Sequence, residues 1–346
     1  MRHSDPGRPG RLRLAGFLLL AALVLRLMNL TLVTTDTSRA LMMEELQRGG
    51  EFDVAFVGSS PVYYSIDPEI VRGTCGLRAI DAAIGNAGLE SCLALTRSAL
   101  RYNSLRYVVV TLEPDMLLET RENPEAEIRV MPWLSHPLDR LAYLMDLCRG
   151  DDRWMTRLFY FRAAPVTSLE EWIKTVTIRF RLPFYREKMN AELEDTPYLG
   201  AGYHEMRLSP PEGGLLAHRE FFTTTDHMSV FPPLTMARLR EMQRVCTGHG
   251  ARLIVLIPPC LLPAVTSSPR LVEACETAEQ FCAEEGILFF NMMKADRERL
   301  PSLDDRYVDI YHFDREGAAL YSRFMGEFLR ALSEGRDVTG WFRETL

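Results

Sequence analysis

The sequence predicts an α/β protein of three layers, with a mostly parallel sheet of about five strands, a helical insertion and one N-terminal transmembrane helix. Three observations carry that expectation. Five short runs rich in Val, Ile, Leu and Phe are mostly separated by helix-length segments, the rhythm of a parallel sheet covered on both faces. The segments between them repeat apolar residues at helical spacing. A run of twenty mostly apolar residues, Leu14 to Val33, is long enough at about 1.5 Å per residue to cross a hydrocarbon core of roughly 30 Å.

In chain order, residues 1–13 read as a basic cytoplasmic tail and 14–33 as the anchor. Arg2, Arg8, Arg11 and Arg13 precede the apolar run. The bias of basic residues towards the cytoplasm then places 34–346 outside it, on a single-pass protein of the inner or cytoplasmic membrane. Arg26 and Asn29 interrupt the run, so a cleaved signal ending near Val33-Thr34-Thr35 is the competing reading. Arg26 can snorkel to the outer interface. A linker, 34–51, holds a helix around Ser38–Arg48.

An α/β domain follows over 52–335, with a tail at 336–346. Its strands are Phe52–Val57, Leu77–Ala82, Tyr107–Leu112, Leu253–Ile257 and Ile287–Phe290, short apolar runs stopped by turn residues. One helix buries Leu89, Cys92, Leu93, Thr96 and Leu100. A second buries Met236, Leu239, Met242 and Cys246, and a third Leu271, Ala274, Cys275, Ala278 and Phe281. The last starts at the cap-like Asp314, buries Tyr321, Phe324, Met325, Phe328, Leu329 and Leu332, and stops at Gly335. Residues from about 120 to 233 break the rhythm and read as an insertion between the third and fourth strands, lying over the site as a lid, with a second domain as the less economical alternative and helical pieces at Leu138–Cys148 and Leu169–Ile178.

The chain has 346 residues, 47% hydrophobic and 25% charged, which excludes a disordered or collagen-like protein. Acidic residues outnumber basic ones by 47 to 40, so no nucleic-acid partner is expected, because phosphate binding needs clustered Lys and Arg. The seven cysteines include no Cys-x-x-Cys pair and no metal-ligand spacing. They read as small buried side chains, and neither a zinc site nor a cofactor is expected. His218 and His227 read as solvated loop residues, with a metal or substrate role as the alternative. Trp133, Trp154, Trp172 and Tyr185 read as lid packing, with a sugar-stacking wall as the alternative.

Two local patterns carry chemistry. In Val57-Gly58-Ser59-Ser60-Pro61 the first strand ends in a glycine turn bearing two serines, at the carboxyl edge where open α/β sheets collect ligands. In Asp309-Ile310-Tyr311-His312, directly before the last helix, a loop spacing of three lets the carboxylate hold imidazole Nδ1–H. That fixes the tautomer and frees Nε2 as a base for a serine hydroxyl. Each pattern alone has a bland counterpart, an ordinary turn and a loop-ordering histidine.

Together they resemble the SGNH/GDSL hydrolase superfamily. Gly58-Ser59-Ser60 is similar to its nucleophile block, with serine in place of the usual aspartate, and Asp309 and His312 match its last block, including the Phe313-Asp314-Arg315-Glu316-Gly317 that follows. The resemblance covers roughly 52–112 and 235–332. It implies a flavodoxin-like sheet, Ser60 as nucleophile, His312 as base and Asp309 as its orienting acid. The implied oxyanion hole is made by the backbone N–H groups of Ser60 and Gly85 with the Asn86 side chain; Gly88 competes with Gly85 for that place. The basic tail, single anchor, Gly-Ser-Ser and Ile257-Pro258-Pro259 look most like the membrane-anchored branch associated with O-acylation of alginate and teichoic acid. That branch implies a multispanning membrane O-acyltransferase as partner, an envelope glycan or polymer as substrate, and the lipid bilayer as support.

The third block departs from the superfamily. Where an asparagine is usual, the chain reads Leu112-Glu113-Pro114-Asp115. Glu113 and Asp115 read as turn or cap residues after a strand; aimed inward and ionised, either would oppose an oxyanion. The sequence therefore supports a membrane-anchored serine esterase or O-acyltransferase working through an acyl-enzyme. A non-catalytic accessory protein that keeps the fold is the alternative.

Overall fold

The computed structural model describes residues 8–35, 37–118, 130–148, 162, 165–185, 187, 193–212, 230–261, 265–266 and 269–344. Chain order runs α1 (Arg8–Thr31), α2 (Thr37–Arg48), β1 (Val54–Gly58), α3 (Ser60–Ser65), α4 (Pro68–Cys75), β2 (Ala79–Ala83), α5 (Leu89–Tyr102), β3 (Tyr107–Thr111) and α6 (Pro114–Leu118). After these come α7 (Pro137–Cys148), α8 (Leu169–Arg179), the hairpin strands β4 (Tyr198–Gly200) and β5 (Tyr203–His204), α9 (Pro233–Gly248), β6 (Arg252–Ile257), α10 (Pro269–Glu284), β7 (Leu288–Asn291) and α11 (Arg315–Ser333).

The five-stranded sheet has the order β2-β1-β3-β6-β7, and every pairing in it is parallel. This is the α/β sheet expected from the apolar runs. Alternation along the strands divides the core in two. Ala55, Val57, Ile80, Val108, Val110 and Val255 meet residues of α2, α5, α9 and α10 on one face. Val54, Phe56, Val109, Ile254 and Leu256 meet α3, α4 and α11 on the other. Burial on both faces is why the strands lack an apolar/polar alternation.

The helices follow from their stripes and caps. Asp314 caps α11 by accepting a 2.7 Å hydrogen bond from the Gly317 N–H. The helix then buries Tyr321, Phe324, Met325, Phe328 and Leu329, each contributing about 1.5–3 kcal/mol of transfer free energy. Cys246, Cys275 and Cys282 lie in the core, where burial pushes their thiols up to about 12.

Two helices between β3 and β6 bury polar beside apolar side chains and leave other apolar ones outside: α7 buries Tyr143 and Leu147 and α8 buries Ile178. On α7, Asp139 accepts hydrogen bonds of 2.7 and 2.6 Å from Arg101. Asp146 accepts from Arg97 and from the buried Arg238. Leu138, Leu141 and Met145 are left exposed. On α8, Thr175, Thr177 and Ile178 are buried, while Leu169, Trp172 and Ile173 face outward.

Gly10–Thr31 of α1 is long and apolar enough to cross a membrane, and the helix continues through both Arg26 and Asn29. Its C-terminal end docks on the body. Asn29 and Val33 are buried, the Val166 N–H donates to the Leu32 carbonyl at 2.8 Å, and Val33 bridges to Pro165.

The β4–β5 hairpin sits against β2. Asp81 N–H donates to the Ala201 carbonyl at 2.8 Å. Gly202 has φ +86°, and a Cβ there would lie 2.1 Å from the Asp81 carbonyl oxygen, so the approach requires glycine. From the other side Glu45 of α2 accepts from Tyr198 Oη at 2.8 Å and from the Ala201 N–H at 2.6 Å. The Asp81 carboxyl is fully buried, and neither of its oxygens meets a hydrogen-bond partner among the described residues. Burial, reinforced by the charge of Asp67, holds it well above the ordinary carboxylate range.

The folded state therefore keeps the Asp81 proton to higher pH than the unfolded chain does. Stability falls as pH rises above the unfolded value of about 3.9 and levels off only beyond the folded one. Asp81→Ala is expected to flatten this decline, measured by urea denaturation at about pH 5 and pH 8. An unchanged slope in the variant would show that the carboxyl is not buried as described.

Candidate active site

The carboxyl ends of β1, β2 and β3 build one floor. Gly58 closes β1 where space is tight: a Cβ would meet Val62 Cγ2 at 2.6 Å and Thr111 Cβ at 3.3 Å. Ser59 then takes the N-cap position of α3 in an extended conformation, Ser60 is its first helical residue, and Pro61 follows, where a missing N–H costs nothing. The loop after β2 is stitched to this turn, since the Ile84 N–H donates to the Gly58 carbonyl at 3.2 Å. In that loop Asn86 is left-handed at φ +55°. Tyr63 Oη would lie 3.1 Å from a Cβ on Gly85. Gly85 thus faces α3, whereas Gly88 caps α5.

The Asp309–His312 pair is built by a closed loop. Tyr307 and Phe313 form an antiparallel bridge, and the Val308 N–H donates to the His312 carbonyl at 2.8 Å. At the tip, Asp309 Oδ1 accepts from the backbone N–H groups of Tyr311 (2.9 Å) and His312 (3.0 Å), and Oδ2 lies 2.8 Å from His312 Nδ1. Burial raises the Asp309 carboxyl, but the hydrogen bond and charge of His312 and the two backbone donors outweigh it, so Asp309 sits below its ordinary value. An ionised carboxylate on Nδ1 fixes that nitrogen as the donor and leaves Nε2 the free lone pair.

His312 Nε2 is buried and meets no hydrogen-bond partner among the described residues, so no hydrogen bond joins it to Ser60. The imidazole packs edge-on against Tyr64, with ring centroids 5.0 Å apart. Tyr64 lies four residues, one helical turn, beyond Ser60, so the two share a face of α3. The ring therefore stands beside the helix face that Ser60 begins.

Ser59 points elsewhere. Its hydroxyl donates a short hydrogen bond to Glu113 Oε1, and both side chains are buried. Glu113 keeps the expected turn position directly before α6, where its carbonyl accepts from the Met116 N–H at 2.9 Å, and its carboxylate takes the inward orientation that was the alternative, accepting from the buried Ser59 hydroxyl beneath the serine turn.

Periodicity gave no sign of the aromatic wall beside the site. His204 is buried with its ring centroid 5.5 Å from that of Tyr63 and 6.1 Å from that of Tyr64, and its Nδ1 lies 3.0 Å from the Thr196 carbonyl. The signal available in the sequence was the i, i+4 relation of Tyr64 to Ser60; nothing local announces His204. Among the other aromatic candidates, Trp133 is half-buried under the Arg179 guanidinium, 4.6 Å from the ring centroid. Tyr185 is buried and donates to Glu44 at 2.6 Å, and Trp172 is exposed. Trp154, His218 and His227 lie outside the described residues.

No protein-family model matches the chain, and no curated protein matches it. Among solved structures, a protein from Bacteroides fragilis described as a candidate acylhydrolase aligns with 11% sequence identity and a TM-score of 0.38, over 85% of this chain and 94% of that one.

Glu113→Ala is expected to destabilise the fold by about 1–3 kcal/mol, because the Ser59 hydroxyl loses its acceptor inside the protein. Chemical denaturation of both single variants and the double variant checks this. Ser59→Ala and Glu113→Ala should be clearly non-additive, and additive losses would mean that the pair is not bonded.

Proposed function

We propose that this chain is an extracytoplasmic serine acyl-transfer enzyme held to its membrane by α1, in which Ser60 is the nucleophile, His312 the general base and Asp309 the acid that orients it. The observation that carries the reading is the imidazole itself: Nδ1 is held by an ionised carboxylate, Nε2 is buried without a partner, and the ring stands beside the helix face that Ser60 begins. A lone pair left unsatisfied inside a protein is costly unless something binds there. The sheet order is the flavodoxin-like one, in which ligands gather at the carboxyl edge, and it agrees with the SGNH/GDSL resemblance of the two motifs.

In the mechanism, Ser60 Oγ attacks an acyl carbonyl as its proton passes to Nε2. The tetrahedral oxyanion is met by the backbone N–H groups of Ser60 and Gly85, with the Asn86 side chain beside them. Each such donor is typically worth about 3–4 kcal/mol in the transition state. The imidazolium returns its proton to the leaving group as the acyl-enzyme forms. Water or a glycan hydroxyl then repeats the steps in reverse, which makes the enzyme an esterase or an O-acyltransferase respectively. The anchor favours a membrane-coupled transfer to an envelope glycan or polymer, working beside a multispanning O-acyltransferase. Residues 52–335 form the catalytic domain in this reading, with 120–233 as its insertion.

One observation favours the accessory alternative. Glu113, inward and bonded to Ser59, stands where the superfamily supplies an amide donor. Glu113→Gln keeps an acceptor for Ser59 while removing the charge, and is expected to speed acylation if that charge opposes the oxyanion.

Fluorophosphonate labelling with a short acyl-ester assay tests the proposal. Ser60→Ala should abolish both signals with the fold intact, His312→Ala should lower turnover by about 10²–10⁴-fold, and Ser59→Ala should cost far less. Wild-type protein that neither labels nor turns over ester, with its membrane partner supplied, would leave the accessory reading in place.

A further inference from the structure

We propose that α8 lies in the outer headgroup region of the same bilayer that α1 crosses, with its exposed apolar stripe set into the lipid; the inference rests on the reading of α1 as an uncleaved anchor. Leu169, Trp172, Ile173, Val176 and Phe180 recur at the i, i+3, i+4, i+7 and i+11 positions of one helix face. Four of them are exposed: Leu169 at 72%, Trp172 at 39%, Ile173 at 43% and Phe180 at 49%. The same helix buries Thr175 and Thr177 against the body. Ile178 is covered with them, so the helix has one apolar contact with the body and a second, wider apolar stripe left facing outward, which is unfavourable in water. At a bilayer surface it is the expected order, with aromatic and aliphatic side chains reaching the acyl boundary.

The position of α8 decides its occupant. The membrane-crossing stretch ends at Thr31, and the next two residues are fastened to 165–166 by the Val33–Pro165 bridge and the Val166 N–H to Leu32 carbonyl bond of 2.8 Å. Leu169 follows Val166 by three residues, so at most about 10 Å of chain separates it from the point where α1 leaves the bilayer. The helices α1 and α8 also pack directly against each other. The apolar stripe therefore begins beside the end of the anchor. α7 exposes a comparable row at Leu138, Leu141 and Met145, but among the described residues it lacks the bridge and backbone hydrogen bond that fasten the segment before α8 to the end of α1.

The full chain reconstituted into phosphatidylcholine vesicles tests this, using lipids with and without brominated acyl chains, which quench tryptophan fluorescence on contact. Of the four tryptophans, Trp133 is half-buried and Trp341 buried, and the difference between wild type and Trp172→Phe isolates Trp172. That variant is expected to cut brominated-lipid quenching roughly twofold or more, as for a side chain of the interfacial aromatic belt. Trp172→Phe combined with Ile173→Trp should restore it. Because both positions are exposed, neither change threatens the fold. Quenching unaltered by Trp172→Phe, in protein that resists alkaline extraction from the vesicles, would overturn the interfacial placement and assign the stripe to a protein partner. Release of the wild-type chain by alkaline extraction would overturn the anchor itself, and this proposal with it.

Discussion

Strands β1, β3 and β6 are buried on both faces, and this constraint governs where polar chemistry can stand. A side chain in the middle of such a strand has no water to turn to, so a polar group there is unpartnered unless the core supplies a mate. Asp81 of β2 shows the outcome: its carboxyl is fully buried, without a hydrogen-bond partner among the described residues, and pushed towards the neutral form. Ser60 escapes this by standing two residues beyond the end of β1, where the chain turns into α3, whereas Ser59, one residue beyond it, is still buried and is partnered by Glu113. The sheet thus sets where the serine turn and the loops beside it can stand.

Around that turn the interactions are local on one side and distant on the other. Asp309 gathers three hydrogen bonds from residues two and three positions away, so the loop builds its own carboxylate–imidazole pair with little help from the rest of the chain. Ser59 and Glu113, by contrast, meet across 54 residues of sequence. His204 is brought to the tyrosines of α3 by a hairpin that depends on Glu45. The pair can form as soon as its loop closes, while the wall and floor require the whole sheet.

This division explains what was readable in advance. The five strands were visible as apolar runs, each placed within about two residues, because double-sided burial writes a continuous apolar signal. The serine turn after β1 and the Asp309–His312 contact were visible because each sits in a short pattern of fixed spacing. The inward turn of Glu113 was not, since the identity of a residue after a strand does not say which way its side chain leaves the sheet. The polarity of α7 and α8 escaped for a related reason: a helical period marks a stripe but not whether that stripe meets the core. On α7 the buried side is chosen by arginines of α5 and α9 that capture Asp139 and Asp146, partners far away in sequence.

The hairpin that touches Asp81 bears on the behaviour of the molecule at concentration. β2 pairs with β1 alone, so its other side would present open backbone donors and acceptors, a template onto which a second chain could add a strand. The Ala201 carbonyl takes the Asp81 N–H, and the close seat of Gly202 against the Asp81 backbone leaves no room for a visiting strand. A segment brought in from between the third and fourth strands of the sheet thus shields the margin of the molecule from self-association. Lengthening its turn, or widening it with a larger residue at position 202, would turn that margin into an adhesive one and convert a solubility safeguard into a seed for aggregation.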